Sequence, residues 1–446
     1  MQKLWSKLNI SSILKYGTAS ILLVVPLYPK FPIFNIPGTY VAIRAEDFLV
    51  SVLSIFWFVY FLKSNKREFF KDKLNIAIFL FIWVGLLSIL SAFFITKTAP
   101  VPIGLLHWAR RIEYILPMFI TIAAVKTGTS PRFLIICLFI SAFLAFIYGF
   151  GQMHFSWPVI STQNEEYAKG IALRWIPGAR LPSTFSGHYD LAAFLLMVLP
   201  ISTTFFFTLR KKLSRFLLFF LLVVPSFWLL LQTEARVSFI AYLLAVSLSL
   251  VVIHKKVFIL PFIVLSFVGM FTLSDLGERY IRTFNIYGEK MQLLNNHNLF
   301  NPSTVYASEN AVAVTEDRST SIRLNVEWPR ALRAFAKNPL LGTGYSSISL
   351  ATDNDYLRLL GETGLLGIMA FFLVMTRIVF KLKVHLVASR DFLDLNTAII
   401  GGFAGSMFGI LLNATFIDVF EASKVAIIFW TLAGLALSQV KSEVKI

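Results

Sequence analysis

The chain has 446 residues, of which 57% are hydrophobic and only 15% charged, with 45 Phe and a mean hydropathy of +0.72. That balance excludes a soluble domain and points to a membrane protein. The formal charge of +17 is read as loop charge holding segments in the cytoplasm rather than as a nucleic-acid surface. The lone Cys137 rules out an internal disulfide and a thiol metal site.

The N-terminus, MQKLWSKLNISSILKYGTASILLVVPLYP, has the basic start and apolar stretch of a secretory signal, but no small-residue cleavage site follows. It reads as a retained first span. Apolar stretches long enough to cross a bilayer then fall near 12–29, 45–62, 74–95, 112–126, 132–153, 189–209, 216–232, 236–253, 257–273, 359–380, 395–414 and 421–439. The predicted fold is all-α: a polytopic protein of about twelve transmembrane helices forming a single domain over residues 1–446. The basic stretches KSNKREFFKDK (63–73), RKKLSR (210–215), HKK (254–256) and RIVFKLKVHLVASR (377–390) follow spans two, six, eight and ten. They share one side with both termini, and the excess of Lys and Arg makes that side cytoplasmic. The opposite side holds two long loops, roughly 154–188 and 274–357, and long polar loops are where membrane enzymes keep their chemistry.

The outer basic residues are mostly arginine: Arg44, Arg110, Arg111, Arg174, Arg180, Arg236, Arg279, Arg282, Arg318, Arg323, Arg330 and Arg333. Guanidinium binds phosphate through a planar fork that ammonium lacks. These arginines could instead pair with Glu165, Glu166, Asp275, Glu278 or Glu316, or meet lipid phosphates. Polar residues gather at three span edges. GARLPSTFSGHYDLAAF (178–194) carries Arg180, His188 and Asp190; QTEARVSFIAYL (232–243) carries Glu234 and Arg236; and STSIRLNVEWPRALRAFAKNPLLGTGYSS (319–347) carries Arg323, an amphipathic helix and the turn of Gly342 and Gly344. That turn is either an anion-binding nest or an ordinary turn. TDNDYLRLLGETGLLG (352–367) then leads into span ten. Its Asp353, Asn354 and Asp355 can act chemically, or simply cap the helix. Arg358 and Glu362 are spaced to pair on one helix face, and Gly361, Gly364 and Gly367 form a stripe that lets another helix approach.

NPLLGTGYSS followed by DNDYLRLLGETGLLG resembles the signature of the O-antigen ligase and polymerase superfamily, and the R…STF stretch before span six and the E-x-R before span eight resemble that family too. The resemblance implies a helical fold similar to other polyprenyl-dependent glycosyltransferases and a donor glycan carried on polyprenyl pyrophosphate. It implies that Arg236 and Arg323, and then Arg180, stabilise charge on the leaving pyrophosphate. Asp353 and Asp355 are candidates to accept or orient the acceptor's hydroxyl proton. His188, Asp190, Asn354, Tyr356, Gly342 and Gly344 are placed in the substrate site. Ligases of the superfamily usually carry His where this chain has Asp353, and an Asp-Asn there looks more like the polymerase branch. Asp353-Asn354-Asp355 also spells D-x-D, which holds metal in many nucleotide-sugar glycosyltransferases, but without a nucleotide-binding domain neither metal nor cofactor is expected. The expected function is polymerisation of lipid-linked oligosaccharides at the outer face of the cytoplasmic membrane. Membrane lipids and other polysaccharide-assembly proteins are the expected partners. A ligase is the first alternative and a lipid-glycan transporter the second.

Overall fold

A computed structural model of the chain describes residues 9–36, 42–64, 66–159, 173–282, 284–285, 321–348, 352–388 and 394–440. Within them the protein is helical apart from two short antiparallel strand pairs, Pro32–Asn35 with Ala42–Arg44 and Pro158–Val159 with Leu173–Arg174. The helices are α1 (Ile10–Leu27), α2 (Ala45–Lys63), α3 (Lys73–Ser91), α4 (Val101–Lys126), α5 (Pro131–His154), α6 (His188–Thr208), α7 (Lys212–Gln232), α8 (Arg236–Val252), α9 (Ile259–Leu273), α10 (Trp328–Lys337), α11 (Asp355–Ala388), α12 (Leu395–Asn413) and α13 (Ser423–Ser438). Among the described residues, nine helical segments are long and apolar enough to cross a membrane, and α8 and α13 are shorter apolar helices. With α4 these make up the twelve segments anticipated from the sequence; α10 is the amphipathic extra.

α4 departs from its expected limits. The apolar run suggests 112–126, yet the helix begins at Val101. Its charged first half is tolerated because it is paired. Arg110 donates to the Ala42 carbonyl at 2.7 Å and reaches Asp47 at 3.4 Å, while Arg111 pairs with Glu421 and donates to the Phe420 carbonyl at 3.0 Å. Partners on other elements make these positions helical where hydropathy alone ends the span.

α6, α12 and α13 form the centre. In α6, 78% of the apolar window is buried inside the protein, against 17% for the span ending at α9, whose side chains face outward. The close approach is made by α12. A Cβ at Gly402 would lie 2.7 Å from the Ile201 Cα of α6, and one at Gly405 would lie 2.3 Å from the Ala245 carbonyl of α8. The bundle's main small-residue seam is therefore in α12, while in the 361–367 stripe only Gly361 admits a neighbouring helix. In that stripe Gly361 abuts α10 at the Ala331 carbonyl, and a Cβ on Gly367 would strike Thr363 of its own helix.

The two ends of the bundle differ in chemistry. Lys381 pairs with Asp72, and Lys255 lies 6.0 Å over the Phe207 ring, so the basic turns of the sequence meet at one end. The pairs Lys30–Asp190, Arg279–Glu234, Arg323–Asp353 and Arg358–Asp418 join residues at the other.

Candidate functional site

Arg180 is held at the mouth of the bundle by the buried segment that follows it. The Leu181 N–H donates to the Gln232 carbonyl at 3.1 Å, the Ser183 hydroxyl to Ala145 at 2.6 Å, and the Thr184 hydroxyl to Pro26 at 2.8 Å. Lys424, only 1% exposed, donates to the Thr184 carbonyl at 2.9 Å and lies 4.8 Å over the Phe185 ring. The R…STF stretch is thus pinned by α1, α5, α7 and α13. From it, Arg180 Nη1 donates to His188 Nε2 at 3.1 Å, which assigns that ring nitrogen as acceptor. Asp190 turns the other way, pairing with Lys30 at 3.1 Å and accepting from Ser186 at 3.1 Å.

The E-x-R corner is closed by the segment after α9. Glu234 sits at φ +50° between α7 and α8. Arg279 Nη1 donates to the Glu234 carbonyl at 3.0 Å and to its carboxylate at 2.9 Å, and the Tyr280 hydroxyl donates to the carbonyl of Arg236, the first residue of α8. Arg180 and Arg236 both lie within electrostatic reach of Arg279, and Arg180, Arg279 and Arg323 all act on His188. Arg180, Arg279 and Arg323 thus lie around His188, with Arg236 beside Arg279, and Glu234, Asp353 and Asp190 are carboxylates of the same region.

Arg323 opens a π turn, Arg323–Glu327, which leads directly into α10. Such turns recur at functional sites because the extra residue re-aims side chains. The guanidinium donates through Nη2 and Nε to one oxygen of Asp353, Oδ2, at 2.7 and 3.0 Å. Asp353 stands at φ +48°, a left-handed conformation that Asp and Asn tolerate better than most residues. Its side chain keeps 29% of its surface exposed. Burial raises its carboxyl above the ordinary range, and Arg323 only partly offsets this. The result is a reachable carboxylate that is more basic than a free aspartate.

The neighbours of Asp353 do different work. Asn354 Oδ1 accepts the Leu357 N–H at 2.9 Å, a helix cap at the head of α11. Asp355 is buried, and its Oδ2 accepts the amides of Val419 and Phe420 at 2.8 and 3.0 Å. The Tyr356 hydroxyl donates to the Leu411 carbonyl at 2.6 Å. Asp418 faces them from the α12–α13 turn. It accepts the amides of Thr352 and Asn354, each at 3.0 Å, and pairs with Arg358 at 3.3 Å. Arg358 also stands 3.5 Å from Glu362, as the helix spacing suggests, and 3.5 Å from Glu421.

The Gly-x-Gly turn and the E-x-G-x-x-G segment form one clasp. α11 is broken at Gly364 (φ +68°, ψ −167°), which frees its backbone groups. The 339–344 turn takes them up: the Thr343 N–H reaches the Gly361 carbonyl at 3.0 Å and the Gly344 N–H reaches Glu362 at 2.8 Å. In return, the Leu365 N–H reaches Pro339 at 2.8 Å. Gly342 and Gly364, both at φ +68°, allow this contact, since a Cβ on either would come within 2.4 Å of the facing backbone. This turn spends amides on the broken helix, so it is structural cement rather than an open nest.

The structure gathers Arg180, His188, Arg236, Arg323 and Asp353 at one mouth. It places Asp190, Asn354, Asp355 and Tyr356 in the supporting frame, each tied to its own partner. Asp418, Glu421, Lys424 and Glu327 are not singled out by the sequence, because their roles depend on partners far along the chain. The arginines find acids other than those anticipated: Asp47, Glu234, Asp353, Asp418 and Glu421. Glu165, Glu166, Glu316 and Arg318 lie outside the described residues, as do residues 160–172 of the 154–188 loop and residues 283, 286–320 and 349–351 of the 274–357 loop.

Residues 221–372 match the model of a protein family described as O-antigen ligase. The matched stretch contains Arg236, Arg323, the glycine clasp and Asp353; Arg180, His188 and Asp418 fall outside it. A search of curated proteins found no match to this chain.

Proposed function

We propose that this chain, a multi-pass membrane member of the O-antigen ligase and polymerase superfamily, is a glycosyltransferase that joins polyprenyl-pyrophosphate-linked oligosaccharide repeats into a surface polysaccharide. The family match supports a membrane enzyme of O-antigen or polysaccharide assembly; the donor, the polymerase role and the sidedness are our reading. One observation carries it: Arg323 holds the accessible carboxylate of Asp353, while Arg180 holds His188 on the neighbouring rim and Arg279 closes the corner that bears Arg236. Guanidinium groups gathered at span ends suit a pyrophosphate at a bilayer surface.

In this reading the acceptor hydroxyl attacks the anomeric carbon of the donor sugar. The new glycosidic C–O bond forms as the bond to pyrophosphate breaks. The hydroxyl proton passes to Asp353, and polyprenyl pyrophosphate leaves with its charge held by the arginines. Arg323 links the two halves, because it touches the base and belongs to the phosphate-facing set. The positive-inside rule makes the end with the basic turns cytoplasmic, with both chain termini, so the arginine mouth faces outward. Asp353, where ligases of the superfamily usually carry His, favours polymerase over ligase. A lipid-glycan transporter fits less well, since it needs charge along a mid-membrane path, whereas the pairs here gather at span ends. Deleting the gene tests the role. A polymerase leaves single lipid-linked repeats, whereas a ligase leaves full-length chains that never leave their carrier, and the latter result would overturn the polymerase reading.

A further inference from the structure

Beside the Arg323–Asp353 pair, four polar atoms are enclosed without a hydrogen-bond partner among the described residues: Glu327 Oε2, Trp328 Nε1, Arg330 Nη1 and Thr352 Oγ1. Three belong to the start of α10 and its lead-in and the fourth to the approach to α11, two stretches joined by the Arg323–Asp353 pair and flanking one seam. The Trp328 ring lies 6.1 Å from Phe416 of the α12–α13 turn. The Thr352 amide is bonded to Asp418 of the same turn, and Glu327 lies within the field of both Asp353 and Asp418. Thr352 is fully buried, while the other three side chains are partly exposed.

Buried polar atoms are nearly always partnered, so four orphans in one seam signal an occupant. Its chemistry follows from the set. An indole N–H, a guanidinium N–H and a hydroxyl donate, and a carboxylate accepts. An apolar chain would leave all four unpaired. A phosphate would meet Glu327, Asp353 and Asp418 at close quarters and be repelled. A neutral polyhydroxylated ring, which donates and accepts at every carbon, satisfies all of them, and the Trp328 face offers it an apolar wall.

We propose that this seam is the subsite for a sugar ring of the acceptor glycan, with Glu327 accepting from one hydroxyl and Trp328, Arg330 and Thr352 donating to others. The inference rests on the glycosyltransferase reading and adds a direction to it. The donor's pyrophosphate occupies the side of Arg180, Arg236 and Arg279; the acceptor occupies the α10 side; and Arg323–Asp353 stands between them.

The test uses the purified full-length protein in vesicles. Two variants are compared with the wild type. Trp328→Phe keeps a ring against Phe416 and loses only the N–H, and Glu327→Gln loses the charge. The probe is the oligosaccharide released from the cell's own lipid-linked repeat, whose binding is measured directly and whose lipid-linked form is titrated as acceptor. Losing one neutral hydrogen bond weakens binding about 3- to 10-fold, and losing a charged one about 10- to 100-fold. Both variants should weaken oligosaccharide binding and raise the acceptor KM by such factors, with the donor KM held within about 2-fold. Unchanged binding and acceptor KM in both variants would show a water-filled seam and overturn the proposal, as would a donor KM that rises in parallel. If the wild type binds the oligosaccharide more tightly than both variants yet transfers nothing, the sugar subsite stands and the transferase reading falls.

Discussion

Asp353→Asn separates catalysis from architecture because the structure lets asparagine fill every non-chemical role of the aspartate. Asparagine tolerates φ +48°, has the same shape, and can still accept one bond from Arg323 through its carbonyl oxygen. What is lost is the negative charge, which weakens the contact now made by two bonds to Oδ2 at 2.7 and 3.0 Å. A fully buried bond of that kind contributes about 1.5–3 kcal/mol. The Asp353 side chain is 29% exposed, so solvent screening reduces the pair to about 1 kcal/mol, and the variant should fold and insert normally. Activity should fall much further, by about 10²–10⁴-fold, the usual worth of general-base assistance. The assay is the ladder of glycan lengths made by purified protein in vesicles, read against a thermal-unfolding control. The pH profile adds a second readout. Burial raises the Asp353 carboxyl, so as pH falls the wild type should lose its base at a pH above the ordinary carboxylate value of about 3.9. Residual activity of the variant should lack that limb. A variant that polymerises at the wild-type rate with an unchanged limb would refute the assignment.

Arg236→Lys and Arg323→Lys keep charge but lose the fork; each should cut turnover about 10-fold or more while leaving the amount of inserted protein unchanged, as measured by immunoblot against rate. Gly364→Ala places a Cβ 2.3 Å from the Leu340 carbonyl at a left-handed φ; it should destabilise the clasp by about 2 kcal/mol or more, seen as a lower melting temperature in detergent. Reporter fusions at Lys66, Lys212 and Lys383 should read cytoplasmic and one at Ser308 external; an external signal at Lys212 would break the sidedness.

Most of the span pattern is legible in the sequence, because a bilayer demands about 20 apolar residues from each crossing helix. α4 shows where that logic stops. Arg110 and Arg111 look like the end of a span until Asp47 and Glu421, far off in sequence, neutralise them. Arg323 and Asp353 could each be picked out by type and motif, but not their contact across thirty positions. The D-N-D triplet reads as three chemical candidates. The structure divides it into a half-buried carboxylate, a cap and a buried strut, and that division is imposed by Asp418 and the 419–420 amides. Glycine spacing misleads for a related reason. The 361–367 stripe looks like a helix-packing face, yet only Gly361 packs on another helix; Gly364 breaks its own helix, and the closest packing across the bundle is in α12. Local spacing records what a residue can do, and distant partners decide which of those things it does.

The most direct measurement of the central claim uses the purified protein alone in vesicles containing one defined polyprenyl-pyrophosphate oligosaccharide as both donor and acceptor, analysed by mass spectrometry. The account predicts lipid-linked products of two, three and more repeats, with one polyprenyl pyrophosphate released for each new glycosidic bond. Single repeats that remain intact, or a glycan that moves only to an added lipid or protein acceptor, would contradict it.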